Sequence, residues 1–151
     1  MTAHAKSPLR IERNGPVLVI GVDRPEKRNA LNDGVIAALD ETFSTLPADA
    51  RAVLIHANGP NFSAGLDLSE LAERDAHEGV LHSRSWHQCF EKIEFGPLPV
   101  VAVLRGAVVG GGLELAAAAH VRVAEGSAFY ALPEGQRGIF VGGGGSVRLP
   151  R

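Results

Sequence analysis

Glu114 lies within Gly110-Gly111-Gly112-Leu113-Glu114-Leu115-Ala116-Ala117-Ala118-Ala119, where every other residue is apolar or glycine. A lone carboxylate in such a run is costly to bury unless it is paired, protonated or chemically needed. Three glycines opening a helix also leave backbone N–H groups free to meet a negative charge. A carboxylate and an anion site sharing one turn outline an acid–base site. A second carboxylate, Glu134, follows Pro133 and precedes Gly135, 20 residues beyond Glu114. That separation is about one helix, turn, strand and return, enough to bring both carboxylates to one end of a sheet. Taken alone, Pro-Glu opening a helical turn is a common structural choice favoured by the helix dipole.

Two loops begin with small residues directly after a buried strand: Phe62-Ser63-Ala64-Gly65-Leu66-Asp67 and Gly110-Gly111-Gly112. One N–H from each, clasping a single oxygen, would form an oxyanion hole. Taken alone, each loop is ordinary turn chemistry.

The elements that must position these groups follow from hydrophobic periodicity and turn residues. Residues 9–13 and 16–22 read as strands joined at Asn14-Gly15, a hairpin signal. Asn32 or Asp33 can cap a helix reaching about Leu46, with Val35, Ile36, Leu39 and Phe43 on one face. Ala52 to His56 reads as a buried strand, residues 67–73 as a short helix, and residues 79–95 as an amphipathic helix ended by Pro97 and Pro99. Val100 to Leu104 is continuously apolar, which predicts a strand covered on both faces. After the helix of Glu114 come a strand at 121–124 and an extended piece at 128–130. Strands alternating with helices predict an α/β fold with crossover helices.

Composition narrows the function classes. The chain has 151 residues, 45% of them hydrophobic, and a net charge of −2, with no basic excess to suggest nucleic-acid binding. A single cysteine, Cys89, allows no internal disulfide and fits a reducing compartment; a cytoplasmic location is expected. Residues 1–8 form a polar tail without the apolar stretch of a signal peptide. The most apolar run, 97–119, is broken by Arg105, Glu114 and glycines, so no membrane span is expected. His82, His87 and Cys89 share a segment, but spacings of five and two do not stack ligands on one helix face, so no metal site is expected. The chain lacks the P-loop, the dinucleotide fingerprint and the G-x-S-x-G elbow.

Four segments in order resemble the enoyl-CoA hydratase/isomerase (crotonase) superfamily. Arg24-Pro25-Glu26-Lys27-Arg28-Asn29-Ala30-Leu31-Asn32 resembles its early CoA-contacting loop, and Phe62 to Leu68 its F-x-A-G-x-D-[LI] segment. Arg105 to Ala116 resembles its G-x-x-x-G-G-G-x-E-L segment. Pro133-Glu134 with the later glycines and Arg148-Leu149-Pro150-Arg151 resembles its third site segment. The resemblance implies a spiral of repeated β-β-α units, trimers or pairs of trimers, and an acyl-CoA thioester as substrate, with no cofactor beyond the CoA that the substrate carries. It places the oxyanion-hole N–H groups at Leu66 and Gly111, the two hydratase glutamates at Glu114 and Glu134, and CoA contacts at Lys27, Arg28, Ala30, Ala64, Asp67 and Leu68. The implied reaction is reversible syn addition of water to a 2-enoyl-CoA. Double-bond isomerisation, using the Glu134 position alone, and non-catalytic acyl-CoA binding by a fragment are the alternatives. Val141 stands where the family commonly has proline, and Ser146-Val147 where Thr-Gln is usual, which bears on the acyl group accepted. The family also continues into a further helical region, so residues 9–151 are expected to be its N-terminal core.

Overall fold

The computed structural model describes residues 7–70 and 75–150. Its main sheet has five strands. The first pair, β1 (Leu9–Asn14) and β2 (Val17–Val22), is an antiparallel hairpin with Asn14 opposite Val17. The turn is therefore Gly15-Pro16, one residue later than the Asn14-Gly15 signal placed it. Gly15 supplies the left-handed φ of 56° that a two-residue hairpin needs at its first central position. From β2 onward, β3 (Ala52–Ala57), β4 (Val100–Leu104) and β6 (Val121–Ala124) add in parallel, in the order β1-β2-β3-β4-β6.

Parallel neighbours need crossovers, and helices provide them. The first is α1 (Asp33–Ser44), capped by Asn32, whose side chain accepts from Val35 N. It buries the predicted Val35, Ile36, Leu39 and Phe43. The second is α2 (Ala76–Glu94), which begins three residues before the sequence reading because Asp75 and Glu78 form a reciprocal capping box. Its buried stripe is Trp86, Cys89, Phe90 and Ile93. These faces close one core with Ile20, Val22, Val53, Ile55, Val100 and Leu104. Burial pushes the Cys89 thiol up to about 12, as expected of a small packing residue.

A two-stranded parallel sheet lies beside the main one, formed by β5 (Ala107–Val109) and β7 (Phe129–Ala131). Twice in succession, a strand of the main sheet leads into a strand of the small one: β4 to β5, then β6 to β7. The helix of Glu114, α3 (Gly111–Ala118), follows β5. The fold is thus α/β with a largely parallel sheet, as expected. Three details differ. β5 is absent from the sequence reading because three residues between Gly106 and Gly110 are too few to show alternation. The helix expected at 67–73 is a single 3-10 turn at Leu68–Glu70, and residues 71–74 lie outside the described residues. β4 alternates buried and half-buried residues, so its second face is only partly covered, and β6 is exposed throughout. No helix among the described residues is long and apolar enough to cross a membrane.

Candidate active site

Residues 24–31 and 63–69 are tied into one unit. The backbone at Arg28 and Leu31 meets that at Ala64, Gly65 and Asp67 through three hydrogen bonds: Ala64 N to Arg28 O, Leu31 N to Gly65 O and Asp67 N to Leu31 O. Asn29, fully buried at φ 55°, is the hub. Its Oδ1 accepts from Arg24 N, and its Nδ2 donates to Asn58 O and Asn61 O, both at 2.7 Å. Arg24 reaches back to Ala30 O at 2.6 Å and to Asp67 Oδ2 at 2.9 Å. The Asp67 carboxyl is held below its ordinary value, first by the Ser69 hydroxyl and also by Arg24. Asp67 therefore braces the loop through its side chain. Lys27, which touches the Ser69 hydroxyl, and Arg28 are exposed, as is Leu68, while Ala30 is buried.

This unit delivers Leu66 to the mouth of α3. A Cβ placed on Gly65 would sit 3.5 Å from Gly111 N, and one placed on Gly111 would sit 3.7 Å from Leu66 N. The two candidate N–H groups thus lie side by side, on loops bridged by the pairing of Ser63 with Val108. The indole of Trp86 closes the back of Gly111, 2.6 Å from where a Cβ would be.

Glu114 and Glu134 are both buried, and both line a cavity of about 340 Å³ together with Leu66, Gly111, His82 and Trp86. Their anchoring differs. Glu114 Oε1 accepts two backbone hydrogen bonds, from Gly143 N at 2.8 Å and Gly145 N at 2.9 Å. Burial raises its pKa; the Gly145 and Gly143 N–H groups oppose that rise, the charge of Glu134 adds to it and His87 opposes it. Glu134 sits at the start of a 3-10 turn, Glu134–Arg137. Its Oε2 is buried without a hydrogen-bond partner among the described residues. Its Oε1 lies 2.5 Å from where a Cβ on Gly110 would be, so only glycine, at φ 51°, leaves room for it.

Of the ten candidate residues, Leu66, Gly111, Glu114 and Glu134 line the cavity, whereas Lys27, Arg28, Ala30, Ala64, Asp67 and Leu68 form the braced loops next to Leu66. The sequence reading missed Gly143 and Gly145 as donors to Glu114. It also missed Trp86 as a wall and Arg148, whose Nη1 donates to Gly143 O at 2.8 Å. The signal for the donors was the run Gly142 to Gly145, which no turn of ordinary length requires. No group of histidine, cysteine and carboxylate residues able to hold a metal occurs among the described residues.

These features define an α/β protein in which two buried carboxylates share one cavity with Leu66 and Gly111. The chain belongs to the enoyl-CoA hydratase/isomerase family, whose model matches residues 12–151. It is 64% identical to a candidate enoyl-CoA hydratase of Rhodopseudomonas palustris CGA009, with a TM-score of 0.95 over 100% of this chain and 58% of that one. A structure from Thermobifida fusca YX, in complex with CoA, is 26% identical with a TM-score of 0.85 over 95% of this chain and 59% of that one. The short-chain-enoyl-CoA hydratase of Clostridium acetobutylicum is 33% identical over 93% of this chain and 55% of its own length. The chain spans about half the length of the curated relatives it matches.

Proposed function

We propose that the whole protein is an enoyl-CoA hydratase, adding water reversibly to a 2-enoyl-CoA thioester. The observation that carries this reading is the shared cavity of Glu114, Glu134, Leu66 and Gly111. The thioester oxygen lies between the Leu66 and Gly111 N–H groups and takes up enolate charge as water attacks the β-carbon. Losing one such donor typically costs roughly 10²–10³ in rate. Glu114, its Oε1 fixed by two N–H groups, presents Oε2 to the water and accepts its proton as the oxygen bonds to the β-carbon. Glu134, with an oxygen that no donor among the described residues occupies, delivers a proton to the α-carbon. One proton is gained at Glu114 and one lost at Glu134, and exchange with water resets both. The CoA portion lies along the braced loops, with Ala30, Ala64, Asp67 and Leu68 shaping the path and Lys27 and Arg28 meeting its phosphates. No cofactor is required beyond the CoA of the substrate.

We propose a cytoplasmic trimer or pair of trimers. The support is the exposed apolar face of β6 and β7, where Val121, Val123, Phe129 and Tyr130 are each more than half exposed. Light scattering on the whole protein tests the assembly. Loss of the conjugated-thioester absorbance of crotonyl-CoA tests the reaction, and a full-length protein that leaves it unchanged overturns the hydratase reading.

One observation favours a second reading. Of the two glutamates, Glu134 is the one with a buried oxygen lacking a partner among the described residues, so it could move a proton between the α- and γ-carbons without Glu114, giving double-bond isomerisation. Conversion of a 3-enoyl-CoA that survives Glu114→Gln, in a protein with no hydratase activity, would select this reading.

A further inference from the structure

The run Gly142 to Gly145 has no side chain with which to hold its own shape, yet two of its N–H groups must stay on Glu114 Oε1. Its grips come from outside. Ser83 Oγ donates to Gly142 O at 2.8 Å. The Arg148 guanidinium donates from Nη1 to Gly143 O at 2.8 Å and from Nε to Glu94 Oε2 at 2.6 Å. The Arg148 side chain is only 9% exposed. Gly144, at φ 95°, lies under it; a Cβ there would overlap Arg148 Nη1. A continuous path therefore runs from Glu94 at the end of α2, through the guanidinium and the Gly143 peptide, to the Glu114 carboxyl.

We infer that Arg148, anchored by Glu94, is a positioning residue that locks the glycine loop so that Gly143 and Gly145 hold Glu114 in its working orientation. The inference rests on the role proposed above for Glu114. Two effects of Arg148 must be separated, because a guanidinium could act by its charge or by its geometry. Among the described residues, the charged and titratable groups around Glu114 are Glu134 from its 3-10 turn, His82 and His87 from α2, and the Arg148–Glu94 pair behind the loop. Paired with Glu94, Arg148 is close to neutral as a unit. The inference makes its grip on Gly143 decisive, not its field.

The test is carbon-13 titration of glutamate carboxyls in the full-length protein, with the Glu114 signal assigned by its loss in Glu114→Gln. Arg148→Ala should raise the Glu114 midpoint by about 0.5–1 pH unit, since hydrogen bonds to the charged form are lost. Arg148→Lys should raise it less. Glu94→Gln separates the mechanisms: a loosened arginine raises the midpoint, whereas an arginine acting through charge alone, now freed of its counter-ion, lowers it. On crotonyl-CoA, Arg148→Ala should cut kcat about tenfold with KM within about twofold, because the loss falls on orientation of a reacting group. An unmoved midpoint in Arg148→Ala, or a lowered one in Glu94→Gln, overturns the inference. If Arg148→Ala does not fold, the lysine and Glu94→Gln variants decide it. A wild-type protein that hydrates nothing would refute the proposed function, while the titration still reports on Arg148.

Discussion

Glu114 enters the cavity from a helix, with one oxygen on two backbone N–H groups; Glu134 enters from a single 3-10 turn, with one buried oxygen bare among the described residues. Two residues of one type, in one cavity, thus sit in different surroundings. Donors on the charged form oppose the cost of burial and fix a carboxylate in place. A carboxyl without donors keeps an oxygen available to hold or release a proton. Environment, not residue type, divides an acid from a base.

The largest effect should come from the bare partner. Glu134→Gln is expected to lower hydration by about 10²–10⁴-fold with little change in KM. Full turnover by this variant, measured with crotonyl-CoA, would erase the division of labour between the glutamates. A smaller loss, on the order of tenfold to a hundredfold, is expected from Gly110→Ala, whose Cβ would press on Glu134 Oε1 and require an unfavourable φ of 51°. Addition of water measured beside solvent-deuterium exchange at the α-carbon would show whether proton delivery is the damaged step.

Thermal melts extend the comparison to stability. Asp67 has a carboxyl held below its ordinary value, so it stabilises the fold above its unfolded pKa, and that contribution disappears as pH falls through the folded one. Asp67→Asn should therefore lower Tm at neutral pH, with the gap closing in acid. Glu114 is the reverse case. Its folded pKa is raised, so the native state is favoured at low pH and loses stability as pH rises through the folded value. Glu114→Gln, although poorly active, should melt above wild type at neutral pH, by a margin that shrinks in acid. A margin independent of pH would mean that burial does not raise the carboxyl's pKa.

Glu114 could be picked out of the sequence because its charge is the only one in an apolar run, and α3 because glycines open it. The hairpin, α1 and the central strands were legible from local alternation and turn residues. What escaped was non-local or too short for periodicity to register. β5 has three residues. The start of α2 was set by Asp75 and Glu78, two polar residues outside the apolar stripe that marked the helix. The donors to Glu114 lie 29 and 31 residues downstream and are backbone groups of glycines, which carry no side-chain sign of their partner. Arg148 belonged to a motif in the sequence, but its hold on Gly143 depends on where α2 ends, a tertiary fact.

The order in which the chain is made acquires a meaning here. Gly145 N, which completes the cradle of Glu114, is synthesised 31 residues after the carboxylate it receives. At roughly 5–20 residues per second, the ribosome adds that stretch in seconds, far longer than a helix of this size needs to form. During the interval α3 carries a carboxyl with neither of its two N–H partners. The helix can form at once, but the glycine loop can receive its carboxyl only after Gly145 is made, so the corner around Glu114 is among the last parts of this span to close.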